Sequence, residues 1–300
     1  MQLSAITDEI SQDLELALRV CESLGIETVE LRTIDGAQLV EHDAATVRRI
    51  GSAIRGGGFG CAVIDTPFLK VAPVGEAVSE AEWTTFRRGL ELAVELGAGT
   101  VRVFSGARPE GPARAAAAAG DAAPSLTARW TADVLARAVE LAADAGVRVA
   151  LEIEWECAVA TRDEAADVLA AMPADGLGIV WDPGNEGRFT GAATTPDGGA
   201  AARDRIVHVH VKDVDGGGEW TQVGSGLVDW RGELRRLAAD GYDGLLSLET
   251  HYSLPDGGLP AATRESAAAL RELAADEGIA LSPPAPAPGT RPPGGETPWA

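Results

Sequence analysis

Residues 147–156 read VRVALEIEWE, an apolar run that closes on acidic residues. Three later segments repeat the form: GLGIVWDPGN at 176–185, RIVHVHVKD at 205–213 and GLLSLETHY at 244–252. Each is a short Val-, Ile- and Leu-rich body ending in polar or charged groups. A parallel strand covered on both faces reads this way. Working outward, the same reading predicts strands at 2–7, 27–32, 60–65, 99–104, 147–154, 176–182, 205–212 and 244–250, roughly thirty residues apart as in repeated βα units.

Helical patterns fill the intervals. DLELALRVCESLG, from Asp13, has apolar residues at helical spacing and stops at Gly25; AEWTTFRRGLELAVELG stops the same way at Gly97. TARWTADVLARAVELAADAG predicts a cap at Thr127 and an end at Gly146. TRDEAADVLAAM has the capping-box spacing Thr161 to Glu164, and VDWRGELRRLAADG and PAATRESAAALRELAADEG follow. Strands alternating with helices in this number predict an α/β fold, a single-domain (β/α)8 TIM barrel over residues 1–281. An open doubly wound sheet is the competing architecture, but its G-x-G-x-x-G fingerprint is missing after the first strand. Two stretches stand outside the repeat. ARPEGPARAAAAAGDAAPS, after the fourth strand, reads as a surface loop on the side where barrel active sites open. The Pro/Gly/Ala-rich residues 282–300 read as a disordered tail.

Composition narrows the partners. The 300-residue chain carries a formal charge of −21, which argues against nucleic acid and against anionic membrane surfaces. Cys21, Cys61 and Cys157 are odd in number and lack metal-ligand spacing, so they read as free thiols in a reducing compartment. The start, MQLSAITDEI, has neither a basic region nor a long apolar run, and no segment is long and apolar enough for a membrane helix. The expectation is a cytoplasmic protein acting on a small molecule; homo-oligomerisation is left open.

Four side chains stand at the carboxyl ends of strands five to eight, where barrels build their sites: Glu152, Asp182, His210 and Glu249. Alone, each has an ordinary explanation. Glu152 suits a structural pair with an arginine such as Arg102, and Asp182 in DPG suits a turn cap. His210 suits a packed core histidine, and Glu249 a salt-bridged strand end. Together they form an oxygen-rich set that suits Mn2+ or Mg2+ and also accommodates Co2+ and Zn2+. A cation there would grip a carbonyl and a neighbouring hydroxyl, and Glu152 and Glu249, on strands separated by two others, would flank the carbon that loses its proton.

At this point the chain resembles the sugar phosphate isomerase/epimerase family, the xylose isomerase-like TIM barrels. ITDEI at 6–10 and ELR at 30–32 resemble the opening of that barrel; ALEIEWE, VWDPGN, HVHVKD and SLETHY resemble its four metal-bearing segments, in order. The resemblance implies a metal-dependent enzyme of carbohydrate metabolism, an isomerase or epimerase of a ketose or polyol ketone, with Glu152, Asp182, His210 and Glu249 on the metal and the two glutamates moving the proton. It makes His210 rather than His208 the ligand, because His210 directly precedes the V-K-D segment. The alternatives are an inosose-type dehydratase, an abasic-site endonuclease and a non-catalytic sugar-binding barrel. Two departures stand out. Glu154 lies where relatives often carry histidine, and Asn185 lies where epimerase and endonuclease relatives carry one. With only His42, His208, His210 and His251 in the chain, the extra histidines of the endonucleases are lacking.

Around this set, Lys212, Glu154, Asn185, Arg188, His208 and Lys70 are expected to bind substrate. Packing competes for His208, and Glu30 and Arg32 are expected to neutralise each other on one strand face. Trp155, Trp181 and Trp220 are placed near the mouth, and GSG at 224–226 reads as a loop in preference to a phosphate cradle.

Overall fold

Strands form where the apolar runs lie: β1 Gln2–Ala5, β2 Thr28–Leu31, β3 Gly60–Asp65, β4 Thr100–Val103, β5 Arg148–Glu152, β6 Leu177–Trp181, β7 Ile206–Val211 and β8 Leu245–Leu248. The computed structural model describes residues 1–108, 125–172 and 176–281. Most of the insertion after β4, and the tail, lie outside the described residues. All eight strands are parallel and pair in the order β1-β8-β7-β6-β5-β4-β3-β2. A parallel bridge between Ile6 and Glu30 brings the two ends together, so the sheet is a nearly closed barrel and the open-sheet alternative is excluded.

The helices are α1 Leu14–Ser23, α2 Ala44–Gly56, α3 Glu80–Leu96, α4 Leu126–Ala143, α5 Arg162–Ala170, α6 Pro183–Thr190, α7 Trp230–Ala239 and α8 Gly258–Asp276, with a short turn at Ala200–Arg203. Asp13 caps α1, and Gly97 ends α3 in the left-handed region at φ 80°. The cap of α4 is Ser125, not Thr127: its hydroxyl accepts from Ala128 N at 3.0 Å, and Thr127 lies inside the helix. Thr161 caps α5 as expected, but Glu164 reaches back one residue further, to Ala160 N at 2.8 Å. Sequence patterning passed over α2 and α6. α6 is short and holds Pro183, Gly184 and Gly187, a composition of low helix propensity. Asp182 as cap and proline in the first turn nucleate it regardless.

Strand register sorts the side chains. Glu152 pairs with Val180 and Val180 with His208, while His210 pairs with Ser247 and Asp65 with Arg102. Laterally paired residues share a sheet face, so the barrel interior carries Glu30, Asp65, Arg102, Glu152, His208 and His210 where such barrels usually stack branched apolar groups. The alternate residues, among them Leu151, Ile179, Trp181, Val209 and Leu248, face outward and join the apolar core under the helices. Trp181 is therefore not a mouth residue: one position before Asp182, it points the other way.

Outside the barrel, Trp181 Nε1 donates to Glu233 Oε2 on α7 at 3.0 Å, while Glu233 Oε1 is buried with no hydrogen-bond partner among the described residues. Burial pushes the Glu233 carboxyl up to about 7, against the opposing pull of Arg162 and the indole donor. A carboxyl raised in the folded state adds stability below its ordinary range and loses it as pH rises through the folded value. Glu233→Gln is expected to leave stability unchanged near pH 4 and to raise it by about 1–3 kcal/mol near pH 8. Urea midpoints of both proteins across that range are the check; parallel curves would show that the carboxyl carries no such burden.

Candidate metal centre

At the carboxyl end of the barrel, Glu152 closes β5, His210 lies one residue from the end of β7, and Asp182 and Glu249 directly follow β6 and β8. All four are buried, and each offers one ligand atom to a cluster whose members lie within 4.8 Å of one another. The arrangement follows one rule: each side chain commits one heteroatom to the scaffold and turns the other inward. Glu152 Oε2 accepts from Arg102 Nε at 3.1 Å, and its Oε1 lies 3.3 Å from His210 Nδ1. Asp182 Oδ1 caps α6 by accepting from Asn185 N at 2.9 Å, and its Oδ2 lies 3.7 Å from His210 Nδ1. Glu249 Oε1 accepts from Arg32 Nη1 at 2.7 Å, and its Oε2 lies 3.3 Å from the same Nδ1. His210 turns Nε2 to Glu30 Oε1 at 3.1 Å. The ordinary readings of Glu152 and Asp182 thus hold together with the cluster, because a carboxylate has two oxygens.

Charge is heavily compressed here. Burial disfavours the imidazolium of His210, but Glu30, Glu152 and Glu249 outweigh it and hold the ring well above the usual histidine range. Burial would likewise raise Glu152, yet Arg102 and then His210 bring it down to about 2. Against the same burial, Lys212 and then His251 and His210 hold Glu249 well below the carboxylate range. Three carboxylate oxygens and one imidazole nitrogen are donors for a divalent cation, and the far ring nitrogen is fixed by a carboxylate, as in metal-binding histidines generally. The residues can hold a metal ion.

The residues expected to bind substrate fall into two sets. Lys212 is 1% exposed and stands at the cluster itself, its Nζ 2.8 Å from Asp182 Oδ2 and 2.6 Å from Glu249 Oε2. Gly184 makes room for it, since a Cβ there would lie 2.6 Å from Lys212 Cγ. Asn185 Nδ2 donates to Asp182 Oδ2 and Ile153 O, both at 3.0 Å, and its buried Oδ1 has no partner among the described residues. Glu154, on the same strand face as Glu152, is buried and bonded to Lys70 Nζ at 3.1 Å; burial, then Glu152, raises its carboxyl. Arg188 flanks the mouth with Trp155 and Trp220. His208 lies deeper than the others, one layer below His210, with Nε2 2.7 Å from Glu30 Oε2. It supports the layer above and does not face the mouth.

Glu30 and Arg32 do not neutralise each other: Glu30 takes both histidines, and Arg32 pairs with Asp8, Glu9 and Glu249. The GSG loop holds no vacant cradle, because Asp213 accepts from the backbone N–H groups of Gly224, Gly226 and Val228. His251 belongs to the rim and had drawn no role. Its Nδ1 lies 2.9 Å from Glu9 Oε1 and its Nε2 3.3 Å from Glu249 Oε1, on a backbone held at φ 57°. Strand alternation was the available signal, since His251 is two residues beyond Glu249.

This barrel, with acids and imidazole at its carboxyl rim, places the chain in a known family. The chain belongs to the xylose isomerase-like TIM barrels, whose family model matches residues 18–273. Similar solved structures include a D-tagatose 3-epimerase-like protein (18% identity, 93% of this chain and 98% of that one, TM-score 0.69). Another is the IOLI protein with a zinc atom bound (16% identity, 92% and 98%, TM-score 0.68). A third is the probable 3-DHS dehydratase AsbF from Bacillus anthracis (16% identity, 88% and 98%, TM-score 0.68). At such identities the likeness establishes the fold alone. No curated protein matches the chain. Among the described residues no helix is long and apolar enough to cross a membrane.

Proposed function

We propose that the protein is a divalent-metal-dependent isomerase or epimerase of a ketose or polyol ketone, working by proton abstraction next to a carbonyl. The observation that carries this reading is the inward convergence of Glu152, Asp182, His210 and Glu249, each anchored from behind. Those four would hold the cation, Mn2+ or Mg2+ in first place and Co2+ or Zn2+ as substitutes. When bound, it would supply Lewis-acid polarisation of a carbonyl and its neighbouring hydroxyl. Glu152 and Glu249 approach from β5 and β8 on either side of the substrate carbon; the one that is ionised takes the proton as base, and the other, in its protonated form, returns one as acid. Their outer oxygens are held by Arg102 and Arg32, which fixes how each carboxylate faces the substrate carbon. Lys212 stands where negative charge would develop on the substrate oxygen. The unpartnered Asn185 Oδ1 is suited to a substrate hydroxyl, and Glu154 with Lys70 to the next one out.

The test is solvent-deuterium incorporation across a panel of ketoses and inososes with Mn2+ supplied. The expected result is deuterium beside the carbonyl, otherwise unchanged product mass, and loss of exchange on chelation. Loss of water from the product would assign the inosose-type dehydratase instead, in keeping with the dehydratase among the similar structures. Tight sugar binding without any exchange would leave a binding protein, and nicking of abasic-site duplex would revive the endonuclease against the −21 charge.

A further inference from the structure

Arg188 is held in a way that asks for a ligand. It lies near the end of α6, the helix that Asp182 caps, and is partly exposed. Its guanidinium carbon is 4.6 Å from the ring centroid of Trp155 and 4.9 Å from that of Trp220. Its Nη1 donates to the Gly218 carbonyl. Nε and Nη2 have no acceptor among the described residues, and no carboxylate there forms an ion pair with Arg188. The guanidinium is thus fixed by two indoles and one carbonyl, with N–H groups to spare, in a chain whose charge is −21. Other mouth cations are spoken for: Arg32 by three acids and Lys70 by Glu154.

Position supplies the second part of the argument. Lys212 Nζ is also 4.9 Å from the centroid of Trp220, and it touches Asp182 and Glu249. Trp220 therefore flanks both cations, which places the guanidinium carbon of Arg188 within about 10 Å of the ammonium at the acid cluster. A planar guanidinium with free N–H groups matches the oxygens of a carboxylate or a phosphate. Resting on the functional reading given above, we infer that Arg188 is an anion subsite and that the substrate is an acidic sugar derivative. Its carboxylate or phosphate would sit on Arg188 while its carbonyl end reaches the cluster.

Isothermal titration of the Mn2+-loaded full chain with D-fructose, its phosphate ester and fructuronate tests this without requiring turnover. The expected result is saturable binding of an acidic member at least tenfold tighter than fructose; whether the ester or the uronate leads identifies the anion. Arg188→Gln should weaken that binding roughly 10- to 100-fold, the range for a lost charge-assisted hydrogen bond, and weaken fructose binding far less, so that the preference for the acid is lost. Arg188→Lys should keep part of the preference. An unchanged melting temperature in both variants separates this loss from a disturbed mouth. Equal affinity for the three sugars, or a preference for acids that survives Arg188→Gln, would overturn the subsite. Acid-selective binding with no deuterium exchange would instead uphold the subsite and sink the isomerase reading.

Discussion

Glu249→Gln is expected to lose divalent metal, activity and about 3–5 kcal/mol of stability together, the last being the typical effect of removing one partner from a buried ion pair. Glu249 is shared between functions that a neutral amide cannot serve. Its Oε1 accepts from Arg32 at 2.7 Å and its Oε2 from Lys212 at 2.6 Å, and that same Oε2 faces His210 Nδ1 at 3.3 Å. With the charge gone, Lys212, 1% exposed, keeps Asp182 alone as its close carboxylate. The base or acid of the reaction disappears as well, and exchange should fall by about two to four orders of magnitude. Glu152→Gln should behave alike, because Arg102 would be left with Asp65. Elemental analysis, urea unfolding and deuterium exchange on the same preparations separate the three losses. Stoichiometric metal in Glu249→Gln, Asp182→Ala and His210→Ala alike would remove these residues from the coordination shell.

Lys212→Met is expected to tighten divalent binding while weakening the metal-free fold, a combination that few substitutions give. The ammonium lies on the same Asp182 and Glu249 oxygens that face His210, so any cation reaching them meets a positive charge already in place. At such distances like charges repel by several kcal/mol even at a moderate effective dielectric, and about a 10- to 100-fold gain in affinity is a conservative expectation. Methionine preserves much of the apolar stem that fills the space beside Gly184, so the change is chiefly one of charge. Without metal, the buried acids lose their neutralising partner and the melting temperature should fall; with metal it should recover. Exchange should drop even though metal is retained, because the group facing the developing charge is gone. Titration with Mn2+ and thermal unfolding with and without chelator give both signs. Unchanged affinity would mean that the ion and the ammonium do not share those oxygens.

The eight strands were legible because short runs bearing Val, Ile and Leu recur between the helical patterns, as burial of both sheet faces favours. The acid and imidazole positions at the carboxyl rim were legible for a related reason: polar groups that interrupt an apolar run at a regular place need a local explanation. α6 escaped notice because a proline and two glycines mask a helix that its cap and surroundings impose. His251 and the outward course of Trp181 lay within reach of simple alternation, each being fixed by its distance from a neighbour already identified.

What the sequence determined by itself was therefore the barrel and the identity of the groups at its rim, since both follow from local pattern repeated along the chain. Only the tertiary structure decided what stands behind each of them. Arg32 reaches Glu249 across 217 positions and Glu30 reaches His210 across 180, distances over which no periodicity or spacing specifies a partner. Which oxygen of a carboxylate is anchored and which is turned inward depends on that closure, because a two-oxygen group reads the same in sequence whichever way it faces. The same holds for Arg188, whose spare N–H groups become visible only once the folded chain has placed its neighbours' acceptors elsewhere.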